Sequence, residues 1–257
     1  MFLLFGYVSV FFFGLIIGSF LNVCIHRIPR EQSIVWPRSA CPLCATTLAW
    51  KDNIPLVSFF LLRGRCRQCR MPIAFRYPFV ELSNGLGYVA TLWTFGMTGS
   101  TVLYSLFLSI LLTITWIDIG HYIIPDSLSL PGLSLGLMGA ATVLPIEFLD
   151  AVFGVVLGGG VLWIVVVLSP YLFGKEGMGR GDIKLLAMIG AFLGWESVLM
   201  TLMLAAIVGS LIGMGLILGK FMNRGQYMPF GPFLALGAVC SLFFHTQIID
   251  WYLQIVW

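Results

Sequence analysis

Charged residues are scarce in this sequence. Only 10% of its 257 residues are Asp, Glu, Lys or Arg, and 59% are apolar, whereas an average soluble domain has roughly 25% charged residues. This scarcity excludes an ordinary soluble enzyme. A membrane-spanning helix takes about 20 apolar residues, so eight of them would occupy about 160 positions and leave about 97 for everything else. The composition therefore predicts an all-α integral membrane protein without a second large soluble domain.

The uninterrupted apolar runs predict about eight transmembrane helices. They begin near Phe2, Phe79, Thr101, Ser127, Ala151, Ile183, Val198 and Gly231, and the last ends near Trp257. The run over 183–193 is short for a span, so it either crosses thinned bilayer or is extended by Gly181 and its neighbours. Glycines four residues apart predict close helix packing in lipid, at the pairs Gly14 and Gly18, Gly154 and Gly158, and Gly209 and Gly213.

The outer turns and the tail lack basic residues. If the amino terminus is outside, residues 26–78, 119–126, 173–182 and 220–230 face the cytoplasm, and all fourteen Lys and Arg lie in these segments or at their edges. The positive-inside rule favours this orientation. The first run has no basic residue before it and Arg27 and Arg30 after it, so it is a permanent helix rather than a signal peptide.

Cysteines are few, but four of the six lie in the basic loop over 26–78. They form the pairs Cys41-Pro42-Leu43-Cys44 and Cys66-Arg67-Gln68-Cys69. Two such pairs typify a zinc site, because each offers two thiolates to one tetrahedral ion, and four cysteines leave no open position for catalysis. The alternative is two disulfides, which rarely persist in a reducing cytoplasm. We interpret Cys24 and Cys240, alone in apolar runs, as packing residues.

Two aspartates lie where the membrane disfavours them. Asp118 ends the third apolar run and Asp182 begins the sixth, and the predicted topology places both at the cytoplasmic side. Ionisable groups at such positions mark functional sites by default. If the two carboxyls face each other they share a proton, so that one activates water while the other donates to a peptide carbonyl. This is the requirement of aspartic proteolysis.

Other readings of the polar residues stay open. Either aspartate alone is compatible with a helix cap or with an ion pair to Arg180 or Lys184. Asp126 follows Pro125 at a helix start, where an N-cap role is favoured over catalysis. We expect His121 to be a polar loop residue. Glu81 either pairs with Arg76 or touches substrate.

At this point the sequence resembles a known family, the bacterial type IV prepilin peptidases, which are GxGD-type aspartic proteases of pilus and type II secretion systems. The resemblance lies in Gly177-Met178-Gly179-Arg180-Gly181-Asp182-Ile183-Lys184, in the Asp118 segment ending Ile124-Pro125-Asp126, and in the paired cysteines. It extends to Gly18-Ser19-Phe20-Leu21-Asn22-Val23, to Arg76-Tyr77-Pro78-Phe79-Val80-Glu81 and to Pro229-Phe230-Gly231-Pro232-Phe233.

The resemblance implies two reactions. The first removes a short basic leader from prepilins and pseudopilins after a glycine, on the cytoplasmic side. The second methylates the new amino terminus with S-adenosylmethionine. By motif, the catalytic aspartates fall on Asp118 and Asp182, supported by Gly179 and Gly181 of the GxGD motif, and structural zinc falls on Cys41, Cys44, Cys66 and Cys69.

The expected organisation follows from this resemblance. Residues 1–25 would form the first transmembrane helix, 26–78 the cytoplasmic zinc-binding loop, and 79–257 a polytopic membrane aspartic protease domain. We expect a multi-pass protein of the bacterial inner membrane with both termini outside and the active site at the cytoplasmic face. No nucleic acid partner is expected, and the sequence leaves homo-oligomerisation open. The methyl donor has no recognisable site, because no glycine-rich nucleotide loop follows a strand.

Two rival functions use the same features. A transporter or channel would use the two carboxylates as a proton relay, although the lack of an obvious inverted repeat counts against it. A structural assembly factor would use the zinc loop to dock a cytoplasmic partner and would tolerate changes at both aspartates.

Overall fold

The computed structural model describes residues 2–41, 43–173, 179–221 and 227–256. Over these ranges it contains no β-strand, which confirms the all-α prediction. The α-helices are α1 (Phe2–Arg27), α2 (Val57–Leu61), α3 (Arg76–Phe95), α4 (Gly99–His121), α5 (Asp126–Ala140), α6 (Phe148–Phe173), α7 (Arg180–Leu218) and α8 (Gly231–Val256). The predicted cytoplasmic segments 173–182 and 220–230 lie partly outside the described residues.

Within the described residues, five helical segments are long and apolar enough to cross a membrane. They are Leu4–Arg30, Gly99–His121, Phe148–Ser169, Arg180–Leu218 and Gly231–Tyr252. The chain is therefore a multi-pass membrane protein. Helix α5 has 15 residues, and α3 carries Arg76, Glu81 and Asn84, which lower its hydropathy. These two helices stay predicted spans, so the count of eight is not confirmed.

The predicted sixth and seventh spans form one helical segment, α7, interrupted at Gly194. This glycine has φ 80° and ψ 174°, a backbone conformation that residues with a side chain rarely adopt. Before it, residues 185–194 are buried without interruption, and α7 packs against α5, α6 and α8. Because these residues are buried on every face of the helix by other protein atoms, they are enclosed by neighbouring helices rather than by lipid. The short run over 183–193 therefore does not need to span lipid by itself.

The chain divides into two compact units, Met1–Thr113 and Ile114–Trp257. In the first, α1 touches α3 through backbone: a Cβ on Gly14 would lie 2.8 Å from Cα of Gly85, and a Cβ on Gly18 would lie 2.7 Å from Cα of Glu81. Asn84 Nδ2 donates to the Gly14 carbonyl at 2.8 Å. Such contacts of small residues and interhelical hydrogen bonds hold helices together in lipid.

In the second unit, α6 approaches α7 in the same way. A Cβ on Gly154 would lie 2.6 Å from the Gly190 carbonyl oxygen, and one on Gly158 would lie 2.7 Å from the Leu186 carbonyl oxygen. The packing predicted for these glycines, and for Gly14 and Gly18, is confirmed. The third pair differs, because a Cβ on Gly209 or Gly213 would make only ordinary contacts, each at 3.4 Å.

Candidate active site and metal centre

Asp118 lies near the end of α4 with only 5% of its surface exposed. Its Oδ2 accepts a hydrogen bond of 3.0 Å from the backbone N–H of Gly231, the first residue of α8. The N–H groups of a first helical turn have no partner within the helix, and the helix dipole favours a negative charge there. The start of α8 therefore provides a hydrogen-bond donor for this carboxylate.

Asp182 lies in the first turn of α7 and is also 5% exposed. Gly179 occupies the N-cap position, and its carbonyl accepts the Asp182 N–H at 3.2 Å. A Cβ on Gly181 would lie 2.8 Å from Cβ of Ile124. Gly181 therefore allows α7 to begin directly against the segment that follows α4.

The two aspartates share a neighbour, Ile124: a Cβ on Gly231, which bonds to Asp118, would lie 3.4 Å from Ile124 Cδ1, and Gly181, next to Asp182, packs against Ile124 Cβ. At this separation the charge of Asp118 acts on Asp182. Each is at a helix end, within the second unit. Across the described ranges, no ion pair involves either aspartate. The fold thus brings together the two carboxyls that the sequence singled out, and their catalytic role stays a prediction.

The neighbouring charged residues Lys184 and Asp126 pair with each other, which the sequence did not predict. Lys184 Nζ pairs with Asp126, at 2.6 Å from Oδ1 and 2.7 Å from Oδ2. Asp126 is the first residue of α5, and the N-cap position belongs to Pro125. The N-cap prediction is therefore wrong, because the side chain turns to a cation 58 residues away instead. His121, the last residue of α4, is exposed.

Glu81 makes its hydrogen bonds within the first unit. Its side chain is buried, and Oε2 accepts the backbone N–H of Leu56 at 2.8 Å, together with a hydrogen bond from the Ser19 hydroxyl. Among the described residues Glu81 forms no ion pair with Arg76, one of the two alternatives left open by the sequence; the Arg76 guanidinium lies 5.3 Å from the Tyr77 ring centroid. Glu81 therefore ties α1 and the basic loop to α3.

Sequence reasoning gave no role to Gly231 and Tyr227, which lie beside the aspartates. A Cβ on Gly231 would lie 2.6 Å from Asp118 Oδ2, and a Cβ on Gly179 would lie 3.4 Å from both Asp182 Oδ2 and the Tyr227 hydroxyl. The Tyr227 ring also meets Tyr122 at 6.3 Å, edge to face. The Pro229–Phe233 stretch was the one signal for Gly231, through the family resemblance.

The four cysteines of the basic loop converge on one point. Their sulfur atoms all lie within 4.8 Å of one another, with 3.8 Å between Cys41 and Cys69 and 4.0 Å between Cys44 and Cys66. Four sulfurs around a tetrahedral ion with Zn–S bonds of about 2.3 Å are separated by about 3.8 Å. The cluster therefore has the dimensions of a four-thiolate metal site.

The two cysteine pairs have the same backbone. Cys41 N–H donates to Thr46 O at 3.0 Å and Ala45 N–H to Cys41 O at 2.9 Å; in the second pair, Cys66 N–H donates to Met71 O at 2.9 Å and Arg70 N–H to Cys66 O at 3.0 Å. Ala45 and Arg70 both adopt left-handed φ, at 54° and 59°. The loop is thus built from two equivalent knuckles, 25 residues apart.

Ionisation of the thiols differs within the cluster. Hydrogen bonds from Thr46 lower the pKa of Cys44 to about 6, and backbone hydrogen bonds from Cys69 and Gln68 lower that of Cys66. A hydrogen bond from the Met71 backbone lowers the pKa of Cys69, but burial and the neighbouring thiols outweigh it and raise the pKa to about 11. Four thiolates repel one another, so a bound cation is needed to hold all of them ionised.

The apolar helices, the two buried carboxyls and the four-cysteine loop are the features of a membrane peptidase, and comparison with known proteins gives the family. Residues 12–95 match the bacterial peptidase A24 N-terminal domain and residues 105–214 match the type IV leader peptidase family. The chain belongs to this family, as the resemblance implied.

Curated relatives cover almost the whole chain. A prepilin leader peptidase/N-methyltransferase of Aeromonas hydrophila is 40% identical over 272 residues, covering 95% of this chain and 92% of the relative. The protein of the same name from Pseudomonas aeruginosa is 40% identical over 266 residues, covering 94% and 91%. No solved structure gives a significant match. The transporter alternative is not favoured by these relatives.

Proposed function

We propose that this chain is a prepilin leader peptidase and N-methyltransferase of the bacterial inner membrane, with Asp118 and Asp182 as its catalytic aspartates. The observation that carries the proposal is the meeting of these two buried carboxyls at the ends of α4 and α7, in a chain 40% identical to relatives named for that activity.

The carboxyl pair supplies acid and base together. Two like charges at close range are not both ionised cheaply, so the pair holds one proton between them and acts as a unit. The ionised carboxylate takes a proton from water as the water oxygen bonds to the peptide carbonyl carbon, while the protonated carboxyl donates to the carbonyl oxygen. The carboxyl that took the water proton then gives it to the amine nitrogen as the C–N bond breaks, and a hydroxyl of the intermediate returns its proton to the other carboxylate, which restores the singly protonated pair. The Gly231 N–H holds Asp118 in place throughout.

The substrates we propose are prepilins and pseudopilins, which the resemblance describes as an apolar helix preceded by a short basic leader cut after a glycine. Such a helix enters the bilayer laterally, while the scissile bond stays at the wet interface. The distribution of Lys and Arg supports an active site at the cytoplasmic face and both termini outside. In this arrangement residues 26–78 form the cytoplasmic loop between the first helix and the protease region 79–257.

For the metal centre we propose structural zinc held by Cys41, Cys44, Cys66 and Cys69. The sulfur spacing and the donor set support it. A loop of roughly fifty residues buries too little apolar surface to fold alone, and metal binding supplies the missing stability. With four protein ligands there is no open position, so the ion takes no part in hydrolysis.

For the second reaction we propose S-adenosylmethionine as the methyl donor. When bound, its sulfonium would supply a methyl group to the new α-amine: the S–CH3 bond would break as the N–C bond forms, the amine would lose a proton, and S-adenosylhomocysteine would leave.

The decisive experiment is mass spectrometry of a prepilin incubated with the purified protein and S-adenosylmethionine. Asp118→Asn and Asp182→Asn should each abolish the mass loss that reports leader removal. Asp126→Asn is the matched control, because that carboxylate is exposed and paired with Lys184. Substantial cleavage by either aspartate variant, correctly inserted in the membrane, would contradict the assignment.

A further inference from the structure

A hollow of about 490 Å³ lies between α1 and the basic loop, entirely within the first unit. One wall is the face of α1 that carries Ser19, Phe20 and Val23, and the others come from the loop over 34–39 and 48–55. Its volume is in the range of small-molecule sites, about 300–1,000 Å³. Nothing in the proposed proteolysis uses it.

The lining is mixed in a way that suits a polar, ring-bearing ligand. Trp50 offers an indole, Ser39 and Asn53 offer a hydroxyl and an amide, and Arg38 offers a guanidinium. Arg38 is exposed, and no ion pair within the described part of the chain engages it. A second hollow, of about 400 Å³, is lined by Phe153, Val156, Leu157 and Trp195, and these residues include no charged, hydroxyl or amide side chain.

We propose that the hollow beside α1 is the site of the methyl donor S-adenosylmethionine. The Trp50 ring would stack on the adenine, Arg38 would bind the carboxylate of the methionine moiety, and Ser39 and Asn53 would bond to ribose or purine polar atoms. This inference rests on the proposed N-methyltransferase function. It also accounts for a methyl-donor site without a strand and a glycine-rich loop.

The walls of the hollow are tied together by Glu81. This buried carboxylate accepts hydrogen bonds from Ser19, in the α1 wall, and from the N–H of Leu56, which follows Pro55 of the loop wall. The contact is close because Gly18 lets α1 approach the Glu81 backbone. The stretch Gly18–Val23, which proteolysis leaves without a role, therefore lines this hollow, and Glu81 of the stretch Arg76–Glu81 holds its walls together.

The metal knuckles brace the opposite walls. Leu48 N–H donates to Ser39 O at 2.8 Å, so both lining residues flank the first knuckle. Arg67, between the cysteines of the second knuckle, makes a bidentate ion pair with Asp52, in the short 3-10 helix Trp50–Asp52. Arg27 shapes the remaining wall by donating to the carbonyls of Ser33 and Pro37 at 2.9 and 2.7 Å.

Charge argues against the substrate leader as the occupant. Arg27 and Arg38 make the hollow basic, and a basic leader would be repelled. An anionic lipid headgroup would be attracted by the same charges, but it has no ring to place against Trp50.

The test is calorimetric titration of S-adenosylhomocysteine into the full-length protein in phosphatidylcholine nanodiscs. Trp50→Ala and Arg38→Ala should each raise Kd by about tenfold or more. Trp93→Ala and Arg65→Ala, an exposed Trp and an exposed Arg outside the hollow, should stay within about twofold, below the effect of one good contact. Metal content checks that each variant retains the folded loop.

A measurement on the unaltered protein removes dependence on the variants. Ultraviolet crosslinking of methyl-tritiated S-adenosylmethionine should label peptides within residues 16–55, and S-adenosylhomocysteine should prevent it. Label elsewhere, or pocket variants that bind like the unaltered protein, would overturn the inference. Binding of glycerol 3-phosphate without S-adenosylhomocysteine would also overturn it and assign the hollow to a lipid headgroup. If the same preparation cleaves prepilin but binds no S-adenosylhomocysteine, the peptidase proposal stands and only this inference fails.

Discussion

Gly231 donates its backbone N–H to Oδ2 of Asp118 at 3.0 Å, and a Cβ on Gly231 would lie 2.6 Å from that same oxygen. A real Cβ does not approach a non-bonded oxygen so closely. The hydrogen bond thus forms only because the first residue of α8 has no side chain. In this way α8 fixes the position of a carboxyl group carried by α4.

Gly231→Ala should therefore impair cleavage without removing an ionisable group. The new methyl group displaces the Asp118 carboxyl or the start of α8, and a displacement of about 1 Å costs about a hundredfold in rate. We expect leader removal to fall by about that factor, measured with a co-expressed prepilin. Gly160→Ala is the control, because a Cβ there meets nothing within 4 Å. Equal activity of Gly231→Ala and the unaltered protein would show that this hydrogen bond does not position Asp118.

The sequence predicted those features whose chemistry is local. Two CxxC pairs specify four thiols, and their meeting needs only a loop that folds back on itself, as this loop does: the four sulfur atoms lie within 4.8 Å of one another. The apolar runs likewise predicted where helices lie. The Asp118 and Asp182 segments were singled out because charge is costly in apolar surroundings.

Features that depend on distant partners were not predicted. Asp126 looked like a cap from its neighbours, whereas Lys184, on another helix, decides its role. The run over 183–193 looked too short for a span. The sequence did not show that α5, α6 and α8 enclose it, because this enclosure is a property of the fold. Gly231 lies 113 residues from Asp118, and local periodicity carries no signal across that distance.

Replacing cysteines tests the metal centre. We expect about one zinc per chain in the purified protein, and Cys41→Ser or Cys66→Ser should lower metal content and expose the loop over 26–78 to limited proteolysis, because the loop has little core of its own. Cys240→Ser is the matched control, since this cysteine lies outside the cluster. Metal-free protein with a protease-resistant loop would contradict the proposal.

Metal binding should also depend on pH in a defined direction. Thr46 lowers the pKa of Cys44 from 9.0 to about 6. The Cys44 thiolate therefore contributes its full stabilisation at pH values above the pKa of the unfolded chain, and this stabilisation is lost as the pH falls through about 6. Protons compete with the metal ion for the thiolates. A bound ion therefore opposes protonation of the thiolates and shifts its own release to lower pH. We expect zinc to be retained at pH 7.5 and released to a colorimetric chelator at about pH 6 and below. Release that increases towards alkaline pH would contradict thiolate ligation.

The α6–α7 contact gives the last prediction, which concerns stability rather than chemistry. A Cβ on Gly190 would collide with the backbone carbonyl of Gly154. The collision cannot be relieved by rotation of a flexible side chain, because the atoms that it meets belong to the backbone of α6. Overpacking of this kind costs about 1–3 kcal/mol. Gly190→Ala should therefore lower the midpoint of thermal unfolding in detergent, whereas Gly160→Ala on α6 should not.

Because residues 185–194 are the most enclosed part of α7, displacing α6 also disturbs the helix that carries Asp182. Cleavage should then fall together with stability, whereas Gly231→Ala should lower cleavage alone. A Gly190→Ala protein as stable as the Gly160→Ala control would show that α6 and α7 do not meet through these glycines.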